Sequence, residues 1–349
     1  MKILFIYLFA SLGGVESVLK NRQEGFSRLG IKTDFLFLED HGGVSSFETL
    51  KDSKIYITNN KIEIEKIIAE GNYDLSSVID TPQVHDTMRE IAKSRKVVME
   101  VHTPFPPFRE YIKKDIVEDA CAVVVPSATF GKTVEMEMKK PHPPIIVIPN
   151  PVNNDFFKDI MDVPKHHRIP IAMVGRIEDI KGWRESVRIL ELVLKKRKDI
   201  DFFMVGRTIE DTPADIYKEF SKRRMMGHLR WLPFIKYSEM PFFYKFIARN
   251  NGVYLTSSKG ESFGMTLIES MSCRLPVVAC SLPVFREVLE EGTLGKIYRT
   301  VDEAAEYILS LIENTDERES ITEKAYRNTI RKYSSTAFAE TWKKQILAD

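Results

Sequence analysis

The sequence has few cysteines, no excess of charge of either sign and no long hydrophobic run. Its three cysteines, Cys121, Cys273 and Cys280, form no CxxC pair and are odd in number, which argues against a disulfide framework or a zinc site and favours a reducing cytoplasm. The 51 basic and 50 acidic residues leave a net charge of +1, so no nucleic-acid partner is expected. No apolar run reaches the roughly 18 residues of a membrane span, so we expect at most peripheral membrane contact.

The length of 349 residues predicts two domains. Short apolar runs alternate with longer amphipathic segments in both halves, which is typical of α/β units around a doubly wound parallel sheet. Polar and proline-rich sequence from 149 to 170 separates the halves, so we predict domains at 1–160 and 161–333. Ser334 is a candidate N-cap for a final helix at about 334–349. The predicted strands are 3–9, 34–38, 54–58, 77–80, 97–102, 122–126, 145–149, 171–175, 201–205, 229–233, 252–256 and 276–280.

The segment 257–273 combines two glutamates with a strand-to-helix junction. A strand is predicted to end near Thr256, and a helix to begin at 263–265, which places free backbone N–H groups at the carboxyl edge of the sheet, where a phosphate group could bind. Glu261 precedes this helix and Glu269 lies on its second turn, about 80° apart if the loop continues the helix. The two carboxylates could accept hydrogen bonds from ligand hydroxyls. The alternative is a glutamate favoured by the helix dipole and a second one at the surface.

A second turn, at 175–183, also follows a predicted strand and opens a helix. Arg176 and Lys181 could close over a diphosphate, the arginine through its planar fork and the lysine as a point charge. The alternative is a pair of solvated charges. That alternative is weakened because both turns follow strands of the same half, and parallel strands would direct them to one edge.

The first half offers weaker signals. Gly13-Gly14 forms a glycine turn where a ligand could approach the backbone, although the GxGxxG spacing of a dinucleotide-binding dehydrogenase is absent. His102 ends a strand and is as compatible with a structural role as with catalysis. The aromatic loop 104–108 could line an acceptor site or pack. His166-His167 lies in the linker, where no acidic or cysteine partner is expected nearby, so a metal site is not expected there.

Taken in order, these elements resemble the motifs of the retaining glycosyltransferases of family 4, which have the GT-B fold. Locally, 261–264 and 282–289 most resemble the phosphatidylinositol mannosyltransferase branch. The chain departs from the family at Arg274, where glycine is usual, and at Ser257, where many relatives have proline; its first half is also short. The resemblance is carried by Gly13-Gly14-Val15-Glu16, Val101-His102-Thr103, Pro149-Asn150-Pro151-Val152, Gly175-Arg176 with Lys181-Gly182, and Glu261-Ser262-Phe263-Gly264 with Glu269.

The resemblance implies two Rossmann-like domains facing across a cleft, with the final helix crossing back onto the first domain. The second domain would bind most of the nucleotide-sugar. In the implied site, Arg176 and Lys181 hold the diphosphate, and Glu269 binds the ribose hydroxyls. Glu261, with the backbone of Phe263, Gly264 and Met265, binds the donor sugar and phosphate. Gly13-Gly14 approaches the phosphate, and His102 contacts the donor sugar near the reacting carbon.

The implied activity is transfer of a hexose-type sugar from a UDP- or GDP-sugar to a glycan, lipid or small-molecule acceptor, with retention of anomeric configuration. No metal or other cofactor is expected, because Arg176 and Lys181 would take its place beside the phosphates. Location in the cytoplasm, or peripherally at the inner membrane face, fits this activity. A non-catalytic nucleotide-sugar-binding subunit is the alternative. A sugar phosphorylase or a nucleotide-sugar epimerase also remains open, although a phosphorylase would be longer and carry a pyridoxal-phosphate lysine.

Overall fold

The chain folds into two compact α/β units in a computed structural model. The first unit comprises Met1–Asn153 and Lys332–Asp349, and the second comprises Asn154–Arg331. The boundary predicted between residues 160 and 161 falls on Ile160 and Met161, which lie outside the described residues. The structure describes residues 1–11, 13–48, 50, 52–159, 162–209 and 211–347.

The first unit is built on a seven-stranded parallel sheet. Its strand order is β3-β2-β1-β4-β5-β6-β7, so the order reverses beside the first strand, as in doubly wound sheets. The inner strands are buried on both faces, and their sequences are mostly apolar. The strands are β1 Lys2–Ala10, β2 Lys32–Asp40, β3 Ile55–Ile57, β4 Leu75–Ile79, β5 Lys96–Glu100, β6 Ala122–Val125 and β7 Ile145–Val147.

The second unit is built on a six-stranded parallel sheet. Its order is β10-β9-β8-β11-β12-β13. The last strand was not predicted from the sequence, because it has only three residues and two of them are incompletely buried. The strands are β8 Ile169–Val174, β9 Ile200–Val205, β10 Leu229–Leu232, β11 Val253–Thr256, β12 Val277–Cys280 and β13 Lys296–Tyr298. The structure thus confirms the two doubly wound parallel sheets.

Helices connect the strands of both sheets. No helix in the described ranges has both the length and the apolar character needed to cross a membrane. The helices are α1 Gly14–Arg28, α2 Lys61–Glu70, α3 His85–Ala92, α4 Ala128–Glu137, α5 Trp183–Lys196, α6 Pro213–Lys222, α7 Met240–Arg249, α8 Met265–Ser272, α9 Pro283–Val288, α10 Val301–Glu313, α11 Thr315–Tyr333 and α12 Ser335–Trp342.

The final helix, α12, packs against α1 within the first unit. The Ser334 hydroxyl accepts a hydrogen bond from the backbone N–H of Ala337 and caps the helix. The ring of Trp342 meets that of Phe26 edge-on, with centroids 6.1 Å apart. A Cβ at Gly25 would lie 2.0 Å from the carbonyl oxygen of Ser335, so the close approach of the two helices requires this glycine.

Candidate functional site

The two turns singled out in the second half meet at one edge of the second unit's sheet. Strands β8 and β11, which precede them, are hydrogen-bonded neighbours and run parallel. The backbone N–H of Lys259 donates to the carbonyl of Ile180 at 2.7 Å, which joins the two loops directly. Gly182 has a left-handed φ of 65°, and a Cβ there would lie 1.9 Å from the carbonyl oxygen of Ser257. The loops therefore pack backbone to backbone, and Gly182 is required for this contact.

Lys181 and Glu261 form an ion pair across these loops. The Lys181 Nζ lies 2.6 Å from Glu261 Oε1, and the Ser258 hydroxyl donates to the same oxygen at 3.0 Å. The two side chains are 23% and 16% exposed, so each keeps part of its surface accessible. A cation and a carboxylate that are eighty positions apart in sequence thus stand side by side at the carboxyl edge of the sheet.

Arg176 lies at the same edge, directly after β8. Its guanidinium pairs with Glu178, with 2.9 Å between Nη2 and Oε1. The Arg176 side chain is 48% exposed, whereas that of Glu178 is almost buried. Arg176 is therefore the more accessible of the two predicted phosphate-binding cations.

Helix α8 begins at the end of the loop that carries Glu261. Gly264 has φ 94° and ψ 57°, and a Cβ at this position would lie 2.8 Å from the ring of Phe285. This left-handed residue ends the loop before Met265 begins the helix. The assumption that the loop continues the helix is therefore wrong, and with it the 80° estimate between the two glutamates. The first N–H groups of α8 have no acceptor within the helix, as at any helix N-terminus. Phe263 is buried against the unit's core.

Glu269 is buried, so the interpretation of it as a surface glutamate is wrong. The Tyr244 hydroxyl, on α7, donates to its Oε2 at 3.0 Å, and Tyr237 donates a second hydrogen bond. Burial raises the pKa of Glu269 to about 7, and the two tyrosine hydrogen bonds oppose this rise. A buried carboxyl with polar partners on one side can accept hydrogen bonds from vicinal hydroxyls on the other.

In the first unit, His102 follows β5 and both of its ring nitrogens are engaged. Its Nε2 lies 2.7 Å from Glu100 Oε2, and its Nδ1 lies 3.3 Å from the Asn150 amide nitrogen. Its backbone N–H donates to the Asp80 carboxylate at 3.1 Å. The side chain is 8% exposed. The histidine is thus fully hydrogen-bonded within its own unit, as the structural interpretation expects, and almost completely buried.

The glycine turn before α1 has two different glycines. Gly13 caps the helix, and Glu16 closes the turn by accepting hydrogen bonds from the backbone N–H and hydroxyl of Ser11 at 2.5 Å. Leu12, which lies between Ser11 and Gly13, is outside the described residues. A Cβ at Gly14 would meet no described atom within 4 Å, so the described part of the chain does not itself require this glycine.

The structure bears on two expectations from the sequence, one about His166 and one about the aromatic loop 104–108. His166 has an acidic partner after all, because its Nε2 lies 2.8 Å from Asp201 on β9. The expectation that it lacks one was wrong, since neighbouring strands bring together residues far apart in sequence. Arg168 and Arg230 pair with the same carboxylate, and no group of three or more His, Cys, Asp and Glu side chains in the described ranges could hold a metal ion. Phe108, in the aromatic loop, is largely exposed.

The departures from the family motifs have local explanations. Arg274 has φ 54°, a conformation for which glycine is the usual residue, and its guanidinium lies 3.4 Å from the centre of the Tyr326 ring. Ser257 takes part in a buried hydroxyl network with Ser186 at 2.9 Å and Tyr298 at 2.7 Å. These contacts, like that of Tyr244 with Glu269, were missed because hydroxyl partners leave no spacing pattern.

Comparison with known proteins agrees with this geometry. Residues 158–328 match the family model "Glycosyl transferases group 1". A probable sucrose-phosphate synthase of Thermosipho melanesiensis is 27% identical over 191 residues, which are 54% of this chain and 44% of that protein. A phosphatidyl-myo-inositol mannosyltransferase of Mycobacterium leprae is 28% identical over 203 residues, 56% of this chain and 51% of that protein. The matched regions thus span about half of these relatives.

A solved structure resembles the whole chain. Anabaena Alr3699/HepE, crystallised with UDP and glucose, superposes with a TM-score of 0.84 at 16% identity and covers 99% of both chains. At that identity the likeness concerns the fold. The chain therefore has the GT-B fold, and the part of it that matches the glycosyl transferases group 1 model is residues 158–328.

Proposed function

We propose that this protein is a retaining glycosyltransferase that moves a hexose-type sugar from a UDP- or GDP-sugar to a glycan, lipid or small-molecule acceptor. The observation that carries the proposal is the Lys181–Glu261 contact at the carboxyl edge of the second sheet. Ligands of open α/β sheets bind at this edge. The site offers cations for phosphate and carboxylates for hydroxyls, which are the two chemistries of a nucleotide-sugar.

We assign the donor to the second unit residue by residue. Arg176 and Lys181 bind the diphosphate together with the first N–H groups of α8, including that of Met265. Glu269 accepts hydrogen bonds from the ribose hydroxyls. Glu261, with the backbone of 263–265, binds the donor sugar. Because Glu261 is bonded to Lys181, the cation that meets the phosphate also orients the carboxylate that meets the sugar.

The proposed reaction needs no protein base. The bond from the anomeric carbon to the diphosphate oxygen breaks, and the acceptor hydroxyl oxygen bonds to that carbon on the same face. The acceptor proton passes to the leaving phosphate oxygen. Negative charge grows on the diphosphate, where Arg176 and Lys181 stabilise it, at about 3 kcal/mol for each donor by analogy with oxyanion sites. We propose that these cations act without a metal ion.

Residues of the first unit are assigned to the transfer step. We assign to His102 a contact with the donor sugar during transfer, and we attribute the small size of Gly14, beside Gly13, to close approach of the donor phosphate. We also propose a cytoplasmic location, peripheral at the inner membrane face when the acceptor is a lipid. The relative from Mycobacterium leprae, whose name specifies a phosphatidyl-inositol acceptor, supports a lipid among the acceptors to be tested.

The first test is nucleotide release from a panel of UDP-, GDP- and ADP-sugars, each with glycan, lipid and small-molecule acceptors. We expect release with one base and loss of release in Lys181→Ala. Proton NMR coupling of the new glycoside should then show the donor's anomeric configuration. An inverted product would contradict the proposed mechanism, whatever the donor.

The alternative is a non-catalytic subunit that binds nucleotide-sugars. The observation that favours it is the complete hydrogen bonding of His102 within the first unit. Such a subunit would bind nucleotide by calorimetry and release none from any donor and acceptor pair. Phosphorolysis of a glycan, or epimerisation of the sugar nucleotide, in the same panel would identify the two other enzyme classes.

A further inference from the structure

Four side chains beneath the end of β5 form a closed ring of hydrogen bonds. Arg22, on α1, donates from Nη1 and Nη2 to the two carboxylate oxygens of Glu100, both at 2.8 Å. Arg22 Nη2 also donates to the Asn150 carbonyl oxygen at 3.0 Å. The Asn150 amide nitrogen contacts His102 Nδ1, and His102 Nε2 contacts Glu100, which closes the ring. The Arg22 and Glu100 side chains are 0% exposed.

This ring fixes the position of the proton on the histidine. A guanidinium only donates, so the Asn150 oxygen must face Arg22 and its NH₂ must face His102. That NH₂ donates to Nδ1, which therefore carries no proton. The remaining nitrogen, Nε2, carries the proton and donates a hydrogen bond to Glu100. Although burial alone would raise the pKa of Glu100, the Arg22 guanidinium and His102 hold it at about 2, so this carboxyl is an acceptor.

The main chain of His102 is held independently. The backbone N–H groups of His102 and Thr103 donate to the Asp80 carboxylate at 3.1 and 2.9 Å, and the Tyr111 hydroxyl donates to the same group at 3.0 Å. Backbone, Nδ1 and Nε2 are thus fixed by three different residues. This restraint leaves the side chain of His102, which is 8% exposed, a single orientation.

We propose that Asn150 and Glu100, backed by Arg22, are positioning residues that hold His102 as the neutral imidazole protonated on Nε2, so that it acts in sugar transfer without giving or taking a proton. Its part in transfer rests on the proposed function. The ring is then uncharged, and because both of its nitrogens are engaged by Asn150 and Glu100, the acceptor proton has no route to Nδ1 or Nε2. A cationic imidazolium would repel the oxocarbenium-like sugar, which gives the neutral form its advantage.

The test compares Asn150→Asp with Asn21→Asp. The carboxylate introduced by Asn150→Asp keeps an acceptor for Arg22 but places a second acceptor against Nδ1, which favours the imidazolium. Asn21 makes a matched control, because its amide donates to the Pro151 carbonyl at 2.9 Å in the same chain segment and has no hydrogen bond to His102 among those described. The ring state is measured by nitrogen-15 NMR of labelled histidines in the whole protein at about pH 7.5. The His102 signals are identified by their loss in His102→Gln.

In the parent protein and in Asn21→Asp we expect a pyridine-like Nδ1 signal and a pyrrole-like Nε2 signal for His102. In Asn150→Asp we expect two pyrrole-like signals. With a donor found, Asn150→Asp should lower kcat about tenfold or more below that of Asn21→Asp, which controls for the damage that a buried carboxylate does in this segment, and nucleotide affinity should be the same in both variants.

A proton on Nδ1 of the parent protein would overturn the proposal. So would an imidazolium in Asn150→Asp that transfers sugar at the parent rate, because the ring state would then not matter for the reaction. The NMR measurement needs no substrate. If every donor in the panel fails, the proposed function is lost, whereas the ring state still decides whether Asn150 and Glu100 hold His102 in this form.

Discussion

The two units hold their candidate residues in different ways. In the first, His102 is fixed by a closed ring of hydrogen bonds around the fully buried Arg22–Glu100 pair. In the second, Lys181 and Glu261 form one partly exposed pair, and Arg176 is about half exposed.

This difference separates positioning from ligand exchange. A buried charge whose partners all come from the protein keeps these partners as long as the protein is folded. Removal of one partner is costly, because it leaves a buried charge unpaired. The two charges of a partly exposed pair attract each other only weakly, so a phosphate can replace one of them at a small cost in free energy. The partly exposed charges of the second unit fit the proposed binding and release of a nucleotide, and the ring of the first unit keeps one side chain in one state.

Removal of one charge from each pair should give the largest contrast in stability. Glu100→Gln leaves the Arg22 guanidinium buried without its carboxylate and should lower the free energy of unfolding by about 3–5 kcal/mol. Glu261→Gln should lower it by about 1 kcal/mol or less. Urea unfolding followed by circular dichroism measures both. Equal losses would show that the two pairs do not differ as described.

Two lysines of the joined loops sharpen the assignment of the phosphate site. Lys181→Ala should lower kcat/KM about 10²–10³-fold, because it removes a cation that stabilises the developing phosphate charge. Lys259 makes the control, since its Nζ lies 2.6 Å from Asp179 in the same loops and is well exposed. Lys259→Ala should act at nearly the parent rate in the nucleotide-release assay. Similar losses in both variants would point to general loop damage.

The raised pKa of Glu269 gives a pH dependence with a defined sign. Below about pH 7 the carboxyl is neutral and should bind ribose hydroxyls more weakly, because a hydrogen bond to an ionised acceptor is stronger by about 1 kcal/mol. With a pKa of about 7, nucleotide affinity should therefore rise about three- to fourfold between pH 6 and pH 8. Glu269→Gln should lose this part of the profile. Because the ligand's own phosphate titrates in both proteins, the ratio of the two affinities isolates Glu269, and a ratio independent of pH would contradict its role.

The same carboxyl should affect stability in the opposite direction. Since the folded protein keeps the Glu269 proton up to about pH 7 whereas an unfolded glutamate loses it near its ordinary pKa of 4.5, the folded state binds more protons between these values. Stability should therefore fall as the pH rises through this window. Thermal unfolding of Glu269→Gln should show a shallower fall, and an identical pH profile would show that Glu269 titrates normally.

The smallest effect is expected from metal chelation, which should not change the rate of transfer. Sugar transfer should continue at an unchanged rate in excess EDTA, because in the proposed function Arg176, Lys181 and the N–H groups of α8 meet the phosphate charge. Nucleotide release with and without the chelator measures this. Loss of activity that magnesium or manganese restores would show that the proposed phosphate site is incomplete.

The fold could largely be predicted from the sequence because buried parallel strands have continuous apolar runs. Strand β13 was missed because three residues, Lys296 to Tyr298, are too short and too exposed to form such a run. The close packing of α12 on α1 depends on Gly25, whose role becomes visible only when the carbonyl of Ser335 is placed beside it.

The candidate site was predictable only in part. Arg176, Lys181 and Glu261 were found because strand ends in one parallel sheet share an edge. The ion pair of Lys181 with Glu261, the tyrosine bound to Glu269 and the pairing of Arg22 with Glu100 beneath His102 could not be found in this way. Each joins side chains between 25 and 80 positions apart, and one such contact leaves no periodic pattern.

The central claim is that the second unit binds the nucleotide and that His102 of the first unit acts in transfer. Calorimetric titration of one nucleoside diphosphate into Lys181→Ala and His102→Ala tests this claim most directly. Lys181→Ala should weaken binding about tenfold or more, because a hydrogen bond to a charged group is lost. His102→Ala should bind the nucleotide as the parent does and be defective only in transfer, since its interaction belongs to the reacting sugar. Equal weakening in the two variants, or loss of affinity in His102→Ala alone, would contradict the account.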